Sequence, residues 1–347
     1  MTAANNVQES SVMPLTGVDA SDTNFDQDLE LVGVQTNVTT REGVPPDGGY
    51  GWVVTGCVFL INANTWGVNS VSKRRPDEKL LQDADGSYTM QAWGVFLARY
   101  LSDSYFPNAT QLEYALIGGL SISQALLVTP LAAIMSDKFG TRPTLVVGTL
   151  LVSVAMLTSS FANHIWVLFL TQGACFGYGM GFLYITTSPV IPQWFAKRRS
   201  LAMGIASSGA GFGGLAYNLG AGAGIESLGP KWMYLVLAIS TLVANLSCSI
   251  LIKDRNRAVQ PQSQAFSLRK FGHVSVLLVI IWGFVTELGY IVLLYSLPNY
   301  AISIGLSAQQ GSVVGAVLNL GLAVGRPAIG HLSDRLGRIN VATAMTG

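Results

Sequence analysis

Residues 144–162 and 201–225 contain no charged side chain, and each is about as long as the roughly 20 apolar residues that a helix needs to cross a bilayer core. Half of the 347 residues are hydrophobic, 11% are charged and 38 are glycine, so lipid rather than water is the expected solvent for most of the surface. The formal net charge of +1 leaves no basic face for a polyanion, which excludes a nucleic-acid partner. Cys57, Cys175 and Cys248 fall inside apolar segments and read as packing side chains, not as a disulfide framework or a metal site. His164, His273 and His331 are expected at helix ends. With no metal-ligand spacing and no nucleophile motif in the sequence, no enzyme, metal or cofactor is expected. The first 45 residues are polar and acidic and lack a basic stretch leading into an apolar run, so they are expected to form a disordered tail and not a signal peptide.

Runs of about 20 apolar residues place spans near 50–70 continuing at 92–101, then at 112–135, 144–162, 165–189, 201–223, 232–252, 274–297 and 312–330, with a ninth beginning at Val341. Lys138 and Arg142, the Lys197-Arg198-Arg199 run, Lys253, Arg255, Arg257, Arg269 and Lys270, then Arg335 and Arg338 fall in alternate loops. The other loops hold little beyond Arg99 and Lys231. The positive-inside bias therefore puts the basic loops and the N-terminus on the cytoplasmic side.

The sequence also repeats. Ala133-Ile-Met-Ser-Asp137-Lys-Phe-Gly140-Thr-Arg142 follows the second span, and Gly330-His-Leu-Ser-Asp334-Arg335-Leu-Gly337-Arg338 follows the eighth. The aspartates lie 197 residues apart, with six spans between equivalent points, as expected of two six-helix halves related by a parallel repeat. The pattern resembles the loop motif of the major facilitator superfamily, and the pair is far more specific than either copy alone. The resemblance implies an all-α membrane protein with the first six-helix half at 46–252, an inter-half loop at 253–273 and a partial second half at 274–347, short of the family's twelve helices. It also makes Asp137, Gly140, Arg142, Asp334, Arg335, Gly337 and Arg338 gate residues between the halves rather than substrate ligands.

Residues 71–91 interrupt the first span with charges that lipid cannot hold. Deleting them joins Ser70 to Ala92 and restores one continuous apolar helix. Val71-Ser72 and Gln91 are compatible with intron boundaries over 63 nucleotides, a length familiar in fungi, so a retained intron is one reading of these 21 residues; a lumenal excursion is the other. A mature transcript that still carries the segment as its dominant form rules out the intron.

Asp47-Gly48-Gly49-Tyr50-Gly51-Trp52 resembles the first signature of the monocarboxylate porter family, with Tyr50 at its usual Trp or Phe. The stretch from Trp194 through Lys197, Arg198, Leu201, Ala202 and Gly204 to Gly209 resembles the second, with Trp194 for Tyr and Ser208 for Ala. The resemblance covers about residues 45–345 and looks fungal. It implies an organic anion as substrate, with a proton as coupled ion, and makes Arg326 the group that holds a carboxylate. A structural reading of Arg326 stands beside that one, in which it snorkels to the membrane surface or pairs in the loop lock. The family's aspartate and lysine positions are Leu322 and Ser70, which leaves Glu287, in the seventh span, as the carboxylate for a coupled proton or as a structural hydrogen-bonding group. Asn62 and Asn69, seven apart on one helical face, with Tyr184, Tyr290 and Asn319, are expected to line the pathway or to bond neighbouring helices; Asn64, Tyr178, Tyr217, Asn218 and Tyr295 join them as polar groups within spans. The glycine clusters at 177–181 and 209–214 follow no strand and read as close helix packing, not as nucleotide loops.

Three functional readings follow: a secondary transporter of a small organic solute, an inactive fragment or mispredicted product of such a gene, and a non-transporting membrane sensor on the same scaffold. The expected partners are the solute, a coupled proton and the bilayer. The expected site is the plasma membrane or an internal one, and no feature identifies an accessory subunit.

Overall fold

A computed structural model of the chain describes residues 45–67, 111–255, 273–305 and 308–346. Asn69, the segment 71–91, the N-terminal tail and Arg257, Arg269 and Lys270 lie outside these residues.

The described residues are helical. Helix α1 (Tyr50–Asn62) widens into a π-helical turn over Ala63–Gly67. The second span is α2 (Gln111–Leu127) with α3 (Thr129–Phe139), bent by 43° at Val128, where Pro130 removes a helical N–H. The third is α4 (Thr141–Ser159). The fourth combines α5 (Ile165–Leu168), a π-helical stretch at Phe169–Cys175 and α6 (Phe176–Thr187). Helix α7 (Arg199–Leu251) holds the fifth and sixth spans as two limbs broken at Gly229, whose φ is 82° and ψ 165°. The seventh and eighth are α8 (Val274–Ser303) and α9 (Ala308–Leu336), and α10 (Arg338–Thr346) begins a ninth.

Eight spans are expected from the sequence; among the described residues three helices are both long and apolar enough to cross a membrane, or four with the bent α2–α3 pair. The first limb of α7 and helix α9 meet through glycines, where the surface faces protein and does not have to match lipid. Helix α8 differs, with Leu277, Leu278, Phe284 and Leu288 all exposed.

The core joins α1, α4, α6 and both limbs of α7, with Ile61, Leu145, Phe176, Met180, Leu183 and Phe195 fully enclosed. Cys57 and Cys248 lie within it, their thiols hydrogen-bonded across α1 and the second limb of α7. Buried hydroxyls return to their own helix, as Thr149 does to the Leu145 carbonyl at 2.9 Å and Thr241 to that of Leu237 at 2.7 Å. Such bonds satisfy polar groups that have no water to turn to.

The repeat seen in the sequence is also present in the backbone. Gly140 and Gly337, equivalent residues of the two loop copies, both take φ 92°, a conformation that a side chain strains and that lets the chain turn from one helix directly into the next. Of the histidines, His164 and His273 immediately precede helices as expected, whereas His331 lies within α9 and is exposed, because the helix continues past the apolar span to Leu336.

Candidate functional site

The first limb of α7 begins at Arg199 and supplies the backbone around which the site is built. Helix α9 packs along it closely enough that no side chain fits at the contacts. A Cβ on Gly204 would strike the Arg326 carbonyl, and one on Gly211 would lie 2.8 Å from the Asn319 carbonyl. At this crossing the Arg326 Nη1 donates to the Ser207 carbonyl at 2.6 Å. From the other side of the limb, Asn62 Nδ2 donates to the adjacent Ala206 carbonyl at 2.9 Å. Asn62 is buried, and its Oδ1 has no hydrogen-bond partner among the described residues. Asn319 is buried on the α9 face that meets Gly211.

An open cleft of about 520 Å³ runs along the same crossing, within the size range of small-molecule sites. Arg199, Arg326 and Arg338 line it together with the serines Ser200, Ser207 and Ser333; among the described residues no aspartate or glutamate lines it, and Asp334 lies 3.8 Å from Arg338 just outside. Three guanidinium groups with three hydroxyls and no carboxylate make the cleft a place for an anion.

A second polar cluster surrounds the π-helical turn of α1. Tyr217 hydroxyl donates to Asn64 Oδ1, and Trp66 packs edge-on against Tyr184 at 5.5 Å between centroids. The Trp66 Nε1–H is buried with no acceptor among the described residues. The widened turn shifts the side-chain register from Ala63 to Gly67.

Beyond the cleft mouth, the two signature segments interlock. Asp47 Oδ1 accepts the N–H groups of Ala196 at 2.8 Å and Lys197 at 2.7 Å, and the Asp47 N–H donates to the Trp194 carbonyl at 3.0 Å. Tyr50 stacks at 5.7 Å on Trp194, and Trp52 meets Phe195 edge-on at 4.8 Å. The turn at Gly48 and Gly49 that brings Asp47 here is closed by bonds from Gly51 N–H to Gly48 and from Trp52 N–H to Gly49.

From the eighth span, Asp334 caps the same helix start. Its two oxygens accept the N–H groups of Ser200 at 2.9 Å and Leu201 at 2.8 Å. Arg338 adds bonds from Nε to Ser200 Oγ and from Nη2 to the Ala196 carbonyl, both 3.1 Å, and lies 3.8 Å from Asp334. Burial at this loop end pushes the Asp334 carboxyl up. The Leu201 and Ser200 N–H groups, the Ser200 hydroxyl and the Arg338 charge pull it down more strongly, so on balance it is held below its ordinary value. Asp47 and Asp334 thus clamp residues 196–201 from opposite halves of the chain.

The remaining expected residues are distributed as follows. Arg142 donates from Nε to the Ile252 carbonyl at 3.1 Å, on the same face of the bundle as the Tyr50 hydroxyl bond to the Leu251 carbonyl at 2.6 Å. Asp137 and Arg335 are exposed, and so are the Lys197 and Arg198 side chains. Glu287 is exposed on α8 and makes no hydrogen bond or ion pair among the described residues; Tyr290 lies one turn further along that helix. The sequence reading missed Trp66, Arg199, Ser207 and Ser333. Trp66 reads as one more apolar residue of its span, and the others meet only because α7 and α9, over 100 residues apart, cross at glycines.

The profile described as Major Facilitator Superfamily matches residues 83–347. The chain is 34% identical over 338 residues to the uncharacterized transporter ESBP6 of Saccharomyces cerevisiae, covering 93% of this chain and 47% of that protein. It is 33% identical over 301 residues to the probable transporter MCH2 of the same yeast, covering 85% and 59%. Monocarboxylate transporter 11 of Homo sapiens is 27% identical over 312 residues, covering 87% and 60%. The chain therefore spans about half the length of the curated relatives it matches.

Proposed function

Because the chain belongs to the major facilitator superfamily, in a branch similar to monocarboxylate transporters, we propose that it forms the first half and part of the second half of a secondary transporter for a small organic anion. The observation that carries this reading is the cleft between α7 and α9, lined by three arginines and, among the described residues, by no carboxylate. Arg326, held at depth by the Ser207 carbonyl, keeps N–H groups for a substrate carboxylate. Asn62, with an unused acceptor, and Trp66, with an unused donor, lie on the other side of the α7 limb and outside the lining of this cleft.

Alternating access is the motion this arrangement serves. The clamp on residues 196–201 holds the two halves together at the basic end of the bundle, which in this reading is the cytoplasmic end. Opening there requires Asp334 and Arg338 to leave the start of α7. The membrane is proposed to be the plasma membrane, with the N-terminus cytoplasmic. For a coupled proton, Glu287 is the carboxylate available on the seventh span, and Glu287→Gln is expected to flatten the pH dependence of uptake; an unchanged profile removes it from the mechanism.

Uptake of labelled monocarboxylates by the full-length protein in proteoliposomes tests the proposal. Saturable uptake is expected, and its absence from correctly inserted protein, across a panel of monocarboxylates, ends the reading. A sensor on the same scaffold would bind such a ligand without moving it across.

A further inference from the structure

Arg326 and Arg338 both face the cleft, yet one small carboxylate does not reach both. Ten helical residues separate Arg326 from Leu336, the last residue of α9, a rise of about 15 Å. At the far end from Arg326, Arg338 shares the mouth with Arg199, which is exposed and makes no hydrogen bond or ion pair among the described residues. Ser200 lies beside both.

Arg338 serves two structures at once. Its guanidinium lines the cleft and also belongs to the clamp, through the Ala196 carbonyl and the Ser200 hydroxyl. Its ion pair with Asp334 is long, at 3.8 Å, and its side chain is half exposed. A carboxylate arriving between Arg199 and Arg338 offers a shorter, two-oxygen contact than Asp334 does. When the anion takes the Nε–Nη2 edge, the one now bonded to Ser200 and Ala196, Arg338 turns away from both.

From this we propose a second anion subsite at the mouth of the cleft, formed by Arg199 and Arg338, at which a bound carboxylate draws Arg338 out of the clamp and so favours opening on that side. The inference rests on the transport reading above but is separable from it. Arg326 fixes the anion at depth. Arg199 and Arg338 sense one at the threshold, so a substrate on the clamp side helps to open its own gate. The chemical class recognised is a small organic monoanion, and a dianion with a second carboxylate toward Arg199 would suit the pair as well.

The test reads the clamp directly. Spin labels at Lys197→Cys and Asn340→Cys of the full-length protein, solubilised and titrated with sodium lactate against sodium chloride at constant ionic strength, report the distance between the start of α7 and α10. Lactate is expected to shift the distribution to longer distances. Arg199→Gln should raise the half-saturating lactate by at least about tenfold, as loss of one charge-assisted contact predicts, and Arg199→Lys should restore part of it. Arg326→Gln should keep the lactate-induced lengthening while losing transport. A distance that ignores lactate, or an Arg199→Gln titration that overlays the parent, overturns the second subsite. A parent protein that lengthens with lactate yet carries no anion across the membrane sinks the transport reading and leaves the subsite standing.

Discussion

Removing the Asp334 carboxylate isolates the clamp. In Asp334→Ala the N–H groups of Ser200 and Leu201 lose acceptors at 2.9 and 2.8 Å, at a helix start that has few alternatives. Water replaces part of the loss, so each bond counts toward the lower end of a helix cap's worth, and the half-exposed ion pair at 3.8 Å adds little. The sum is about 1–3 kcal/mol, which shifts the clamped-to-open ratio by roughly 5- to 150-fold. Asp334→Asn retains one acceptor and should lie between the parent and the alanine variant. The labels at positions 197 and 340 measure the ratio, with anion absent throughout. A distribution in Asp334→Ala that matches the parent, in protein of parental thermal stability, refutes the claim that these bonds hold the gate.

Gly204→Leu drives a side chain into the Arg326 carbonyl, and should separate α7 from α9 at a cost of about 1–3 kcal/mol, read as a lower melting temperature with the cleft distances widened. The Asp334 carboxyl is held below its ordinary value of 3.8, so its contribution is complete above that value and is lost only as pH falls through the lowered one. Between about pH 7 and about pH 5 the clamp distance is therefore expected to stay constant, and a change in that window would have to arise from another group. Diamide, which takes up two electrons and two protons as two thiols join, should link the Cys57 and Cys248 peptides within one chain; a Cys57–Cys175 product instead would contradict the packing of α1 on the second limb of α7.

Periodicity and apolar run length located the helices because lipid imposes length and hydrophobicity together. They placed α4, the fourth span, the sixth and α8 within a few residues of their positions. The loop repeat was readable as a helix junction because Asp, Gly and Arg each answer a distinct need there, and Gly140 and Gly337 share one backbone conformation. What Asp47 and Asp334 do was not readable. Both cap a helix start far away in sequence, and capping partners at such separations leave no local pattern. The π-helical turn at Ala63–Gly67 was equally silent. Arg199 looked like one of three loop charges until the crossing of α7 and α9 put it in the cleft.

The most direct test of the account is uptake of labelled monocarboxylate by full-length protein in proteoliposomes, comparing the parent with Arg326→Gln and Arg326→Lys. Loss of the guanidinium contact is expected to lower uptake efficiency by about tenfold or more in the glutamine variant, with partial recovery in lysine, while insertion and clamp distance stay parental. Parental uptake in Arg326→Gln would show that the anion passes without this arginine, and would contradict the cleft as its route.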